Sequence, residues 1–263
     1  MEERLAFDAV PEIYDRVRPS YPEPLFDDLF AYVGPPPTKV SAIEIGPGTG
    51  KATKSLLERG ASVTAVEIGP QLAAFLRDKL SAAFPGRLNV INASFEECEL
   101  PLATYDLVTS ATAFHWVDAD VRLRKSRDLL RPGGTLAIIG TNQIRADADR
   151  GYFERTFSIY KRYRPDEENT AVPGEDVTPP EYEELSASGL FDDLTLHRYR
   201  WDQTYPTSEY ADLVRSYANT QVMEPAVRER LIADLSDVID KEYGGSVTRP
   251  LVMTLTLGRK PAG

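Results

Sequence analysis

Glu44, Gly46, Gly48 and Gly50 stand at alternate positions in the run Glu-Ile-Gly-Pro-Gly-Thr-Gly, and a second acid, Glu67, closes a later β-branched run. Glycines so spaced allow a tight backbone turn and a close ligand approach that a Cβ would block. A carboxylate at the tip of the next strand is placed to accept from a ribose diol, because open parallel sheets bind ligands beyond their carboxyl edge. The chemistry implied is the holding of a nucleoside-bearing cofactor. Further along, Ala111-Thr112-Ala113-Phe114-His115-Trp116 concentrates aromatic rings around an imidazole that titrates near neutral pH. Near the start, Tyr14-Asp15-x-x-Arg18-Pro19-x-Tyr21-Pro22 offers phenols and a guanidinium.

These groups need elements to position them, and the hydrophobic pattern supplies a βαβ unit. Residues from Val40 to the acid Glu44 read as a strand, 51–59 as a helix and 61–68 as a second strand, with Gly60 at the expected left-handed helix end. Gly69-Pro70 opens a helix whose Leu72, Phe75, Leu76 and Leu80 share one face. Residues 88–92 and 105–110 read as the third and fourth strands, a helix spans 119–130, and 136–140 is the fifth strand. Leu-Leu-x-Pro-Gly-Gly-x-Leu at 129–136 predicts a tight reversal before that strand. Ahead of the unit lie two short helices separated by prolines, and Gly34-Pro35-Pro36-Pro37 delivers the chain stiffly to the first strand. After it, 194–201 and 249–257 are β-rich and closed by a final hairpin. Helices fill 208–243, with Leu213, Val214, Tyr217, Leu231, Leu235, Val238 and Ile239 as packing positions.

A dinucleotide fingerprint would place its third glycine where Lys51 stands, whereas here it comes one position earlier, at Gly50. The pattern E-x-G-x-G-x-G with the later acid resembles motif I of class I S-adenosylmethionine-dependent methyltransferases of the small-molecule type (type 11, trans-aconitate methyltransferase-like). The Y-D-x-x-R-P-x-Y-P run and the 129–136 turn are similar to segments of the same family, and the resemblance covers about residues 7–142. It implies an α/β fold with a doubly wound, seven-stranded, mostly parallel sheet and a helical cap. Residues 1–263 would form a single domain, with 1–39 as an amino-terminal helical lid, 40–142 as the cofactor-binding core, and 143–190 and 206–243 as cap insertions. It also implies S-adenosylmethionine as cofactor and methyl transfer to a small-molecule acceptor by in-line displacement. Glu44, Gly46, Gly48, Gly50, Glu67, Ile68, Asn92, Ala93, Ser94, Phe95, Ser110 and Ala111 would then bind the cofactor. Asn92 departs from the aspartate the family often carries near the adenine amine, although its side-chain carbonyl can still accept a hydrogen bond. His115, Tyr14 and Arg18 are the candidate catalytic groups, and Tyr21, Phe114, Trp116 and Arg215 the candidate acceptor contacts. Arginine fits a carboxylate acceptor, and His115 fits a hydroxyl that must lose a proton.

Composition narrows the partners. A formal net charge of −11 disfavours a phosphate backbone, and the sequence lacks Asn/Asp-Pro-Pro-aromatic after the fourth strand, which disfavours nucleic-acid bases as acceptors. One cysteine and two histidines make neither an intrachain disulfide nor, by themselves, a zinc site. No run approaches the roughly 20 apolar residues of a membrane helix, and Met1-Glu2-Glu3-Arg4 opens no signal segment, so a cytoplasmic location is expected. Two other readings stay open: a non-catalytic S-adenosylmethionine-binding module and an NAD-dependent oxidoreductase.

Overall fold

A computed structural model describes residues 3–34, 39–165 and 172–262. The Pro35-Pro36-Pro37 run lies outside the described residues. Seven strands form one sheet: β1 (Ser41–Ile45), β2 (Ser62–Glu67), β3 (Leu88–Asn92), β4 (Tyr105–Ala111), β5 (Leu130–Gln143), β6 (Asp192–Pro206) and β7 (Ser246–Arg259), in the order β3-β2-β1-β4-β5-β7-β6. β1 is parallel to both β2 and β4, and β2 to β3. β1 and β4 are buried almost throughout, as central parallel strands covered on both faces must be. Because β1 lies between β2 and β4, the chain reverses its direction of winding there, the position past whose carboxyl end open α/β sheets bind ligands.

The helices among the described residues include α1 (Pro11–Val17), α2 (Glu23–Val33), α3 (Lys51–Glu58), α4 (Pro70–Leu80) and α5 (Ala119–Leu129). α6 (Tyr152–Tyr163), α7 (Pro180–Ser188), α8 (Thr207–Arg215), α9 (Ala218–Gln221) and α10 (Pro225–Glu242) follow. None is long and apolar enough to cross a membrane. The face expected on α4 is observed: Leu72, Leu76 and Leu80 are buried, and half-buried Phe75 lies beneath Lys79.

Two local expectations are corrected. The reversal at 129–136 is an irregularity inside β5: pairing with β4 steps from Leu130 to Thr135 while β4 advances only from Tyr105 to Leu107. Gly133 takes φ +73°, and Gly133 N–H and Gly134 C=O both bond Lys260, so the extra residues are absorbed as a bulge against β7. The closing hairpin is absent, since α8, α9 and α10 connect β6 to β7. Gly133–Lys260 and Ile144–Pro250 contacts run in opposite numerical directions, which makes β7 antiparallel to β5.

The chain divides into two compact units. A sheet unit comprises Ser20–Thr141, Thr178–Tyr199 and Met253–Gly263; a helical unit comprises Met1–Pro19, Asn142–Val177 and Arg200–Val252. The sheet unit's core joins Ile43, Ile45, Val66, Val108, Leu136 and Ile138 to Phe95, Phe114 and Leu129. The helical unit's core gathers Leu213, Val214, Leu231, Leu235, Val238 and Ile239, all expected packing positions, with Tyr152, Tyr205 and Tyr210.

The third glycine of the turn serves packing. Gly50 has φ +82°, and a Cβ there would lie 2.4 Å from Leu76 Cδ1, on a side chain fully buried in α4. Gly50→Ala therefore combines left-handed backbone strain with overpacking and should cost on the order of 1–3 kcal/mol. Denaturant unfolding checks this, and a midpoint equal to wild type would contradict it.

Candidate active site

The glycine turn is built as expected and is tied down by an acid. Gly46, Gly48 and Gly50 take φ of +62°, +56° and +82°. At Gly46 a Cβ would stand 2.6 Å from Ala113 Cβ, so the turn passes close under the segment that leaves β4. Gly46 N–H bonds Val66 C=O of β2, at 2.9 Å. Glu67, 4% exposed at the tip of β2, accepts from Gly48 N–H at 2.9 Å through Oε2 and from Gly69 N–H at 2.9 Å through Oε1. Each carboxylate oxygen has more than one acceptor direction, so these bonds leave acceptor capacity for a diol. Asn92 pairs with Glu67 across β2 and β3, and its amide donates to the carbonyls of Glu67 at 2.8 Å and Ile68 at 3.0 Å. In this orientation its side-chain oxygen is the group left to accept.

Glu44 lies one residue before the carboxyl end of β1 and is 1% exposed; among the described residues neither carboxylate oxygen has a hydrogen-bond partner of ordinary geometry, and Thr53 is the donor that acts on it. Burial, opposed by Thr53 and reinforced by the charge of Glu67, pushes its carboxyl up to about 7. A carboxyl so buried carries a desolvation cost that a cationic group beside it would relieve.

At the end of β4, Ser110 is fully buried and donates to Ile45 C=O at 3.0 Å, which ties β4 to the end of β1. Ala111 is half-buried, and Thr112 adopts φ +55°, an outlier for a β-branched residue. Such strain concentrates at ligand sites. Tyr21 hydroxyl lies 3.3 Å from Thr112 Oγ1, so this phenol reaches the carboxyl edge. A 3-10 turn, Phe114–Trp116, follows. His115 is exposed there, and its ring sits 5.0 Å from that of half-buried Trp116. Partial desolvation of its ring, countered by Glu181 and aided by Arg122, holds the imidazole below its ordinary value, although the residue as a whole is exposed.

Other expected contacts are placed differently. Phe114 is 1% exposed inside the sheet unit's core, with Arg122 over its ring, and so it is not a surface for an acceptor. Phe95 is likewise core, capped by Lys125, while Ala93 and Ser94 remain half-buried beyond β3. Arg215 is spent on Asp212 at 2.9 Å and Glu229 at 2.7 Å, which neutralises the guanidinium expected to hold an acidic acceptor. The segment expected to move as one lid is divided: Tyr14 and Arg18 belong to the helical unit and Tyr21 to the sheet unit. Within the helical unit, Arg18 donates to Ser216 Oγ and Ser216 C=O, both at 2.9 Å, and lies 5.0 Å from the Tyr14 ring centre.

Sequence reasoning did not anticipate the clasp from Glu67 to Gly48 N–H, the Tyr21–Thr112 pair, or Arg249 among tyrosines of the helical unit. Arg249 carried one visible signal, a cation interrupting a β-branched run.

Residues 43–138 match the family described as Methyltransferase domain. An uncharacterized methyltransferase of Mycobacterium tuberculosis strain H37Rv is 36% identical over 135 residues, covering 51% of this chain and 51% of its own length. The chain thus spans about half the length of the curated relatives it matches at this level. A protein of Anaeromyxobacter dehalogenans described as a type II methyltransferase shares the fold with a TM-score of 0.62 at 21% identity, over 93% of this chain and 98% of that one. Phosphoethanolamine N-methyltransferase 2 of Haemonchus contortus, solved with phosphomonomethylethanolamine and S-adenosylhomocysteine, does so with a TM-score of 0.57 at 15% identity, over 97% of this chain and 57% of that one.

Proposed function

We infer that this chain, whose residues 43–138 match the methyltransferase domain family, binds S-adenosylmethionine and transfers a methyl group from it to a small-molecule acceptor. The observation that carries the reading is Glu67, hydrogen-bonded to the glycine turn on one side and to Gly69 on the other at the switch point of the sheet. When bound, S-adenosylmethionine supplies a methyl group already activated by its sulfonium. Gly46 and Gly48 would lie under its methionine part, Glu44 would face its ammonium, and Glu67 would accept from the ribose hydroxyls. Ile68 and Ala93 would flank the adenine, with Asn92 Oδ1 accepting from its amine.

With the donor activated, the chain's task is to align an acceptor and exclude water. Tyr21, beside Thr112, and Trp116, whose ring lies against that of His115, would orient it. Neutral His115 would take up the proton of a hydroxyl or ammonium acceptor. Small-molecule methyltransferases among proteins that share the fold support a small acceptor over a nucleic acid, in keeping with the acidic charge.

Calorimetry with S-adenosylhomocysteine and with NAD tests the cofactor, and NAD binding alone would overturn the reading. Release of S-adenosylhomocysteine in a metabolite screen tests turnover, whose absence alongside tight cofactor binding would favour a binding module. With an acceptor in hand, His115→Ala should lower kcat about 10²-fold or more, leave cofactor affinity within twofold, and remove the acid limb of the pH profile. An unchanged kcat would assign His115 no part in proton transfer.

A further inference from the structure

The helical unit assembles two cations for which the described residues provide no paired anion. Arg249, on β7, donates through its terminal nitrogens to the Tyr217 hydroxyl and, at 2.6 Å, to Gln143 Oε1. Its Nε is buried and bonds nothing. Arg18 lies over the same Tyr217 ring, 4.4 Å from its centre, while the Arg249 guanidinium is 5.7 Å from that centre. Arg18's hydrogen-bond partners, the hydroxyl and carbonyl of Ser216, are neutral. Among the described residues neither arginine forms an ion pair, whereas Arg16, next but one to Arg18 in sequence, and Arg215, next but one to Tyr217, both do.

Donors without acceptors converge on these cations. Tyr205 is 1% exposed in the core cluster against which Tyr217 packs, and among the described residues its hydroxyl has no hydrogen-bond partner. Glu209, on the neighbouring helix α8, is solvent-exposed. Tyr217 accepts from Arg249, so its own O–H proton is left to give. A buried guanidinium N–H and a buried phenol left unbonded both carry a desolvation cost that a fold normally avoids. An apolar side chain at either place would cost the fold less. An oxyanion entering this cluster would satisfy the free Nε–H, the two phenol protons and the two positive charges together. Arg18, Tyr217 and Arg249 remain partly exposed, which gives the cluster a solvent-facing side.

We propose that Arg18, Arg249, Tyr205 and Tyr217 form a binding site in the helical unit for the carboxylate or phosphate group of a small organic anion. The site goes beyond the methyl-transfer reading and stands or falls independently of it. Planar guanidinium groups and phenol donors suit oxyanions that accept several hydrogen bonds at once.

The test titrates the full chain with inorganic phosphate and, separately, with succinate, at an ionic strength held constant with chloride. Calorimetry and thermal shift are the readouts. Saturable one-to-one binding of at least one anion, with a raised Tm, is expected; phosphate alone indicates a phosphate ester and succinate alone a carboxylic acid as the natural ligand. Tyr205→Phe should weaken that binding about tenfold or more, the usual scale for a hydrogen bond to a charged group. Its unliganded Tm should stay equal to wild type or rise, because the hydroxyl removed has no partner in the unliganded chain. Arg249→Met should abolish binding, and where that variant does not fold, Tyr205→Phe and Arg18→Gln decide. No saturable binding beyond the chloride control, or equal affinity in wild type, Tyr205→Phe and Arg18→Gln, overturns the proposal.

Discussion

Glu67→Ala is expected to weaken S-adenosylhomocysteine binding by on the order of 1.5–3 kcal/mol for the lost charged hydrogen bonds, about 10- to 150-fold in Kd. The loss should exceed that of a simple ribose contact, because the same carboxylate also holds Gly48 N–H and Gly69 N–H. Without it, two backbone donors lose their acceptor, and the left-handed turn at Gly46–Gly48 keeps only the Gly46 N–H to Val66 C=O bond as its tie to β2. Hydrogen exchange separates the two contributions. Faster exchange at Gly48 and Gly69 in the unliganded variant reports the loosened turn, and the calorimetric affinity reports the sum. Glu67→Gln, which keeps one acceptor oxygen, should fall between alanine and wild type. Undiminished affinity in Glu67→Ala would remove the ribose assignment.

Glu44→Gln should change how stability depends on pH. In the unfolded chain the carboxyl titrates at its ordinary value of 4.5, and in the folded chain burial raises it to about 7. Between those values the folded state keeps a proton that the unfolded state has released. This group's contribution is therefore greatest below pH 4.5, declines as pH rises toward 7, and is constant above it. Glutamine, which does not ionise, should flatten that decline, so Glu44→Gln should be more stable than wild type at pH 8. The opposite effect is expected on ligand binding. A cofactor ammonium near Glu44 favours the carboxylate, so binding at pH 6–7 should release a proton, visible as a buffer-dependent calorimetric enthalpy. The glutamine variant should bind more weakly and release none from this site. Identical pH–stability profiles for the two proteins would show that Glu44 is ionised in the unliganded fold.

Much of the cofactor site could be read from the chain because its parts are contiguous. Strand, glycine turn, helix and second strand occupy residues 41–67, and each is specified by its own short-range pattern of apolar periodicity and glycine. The parallel crossover follows from that order of elements, which places Glu67 beside the turn. Periodicity does not report which partner a side chain meets. Phe114 and Trp116 are two residues apart in one aromatic run, yet packing around β4 sends the first into the core and leaves the second half-exposed. Arg215 looked like a free cation until α10 brought Glu229 to it.

What the sequence by itself determined is the βαβ unit, the glycine turn and the acid at the strand tip, because local backbone preference decides them. Only the tertiary structure decided that Glu67 clasps Gly48, that Glu44 is buried without a hydrogen-bond partner of ordinary geometry, and that Arg18, Gln143, Tyr217 and Arg249 meet in one cluster. Those relations join residues that neighbouring chain cannot bring together, and they exist only once burial has removed the water that would otherwise satisfy each group by itself.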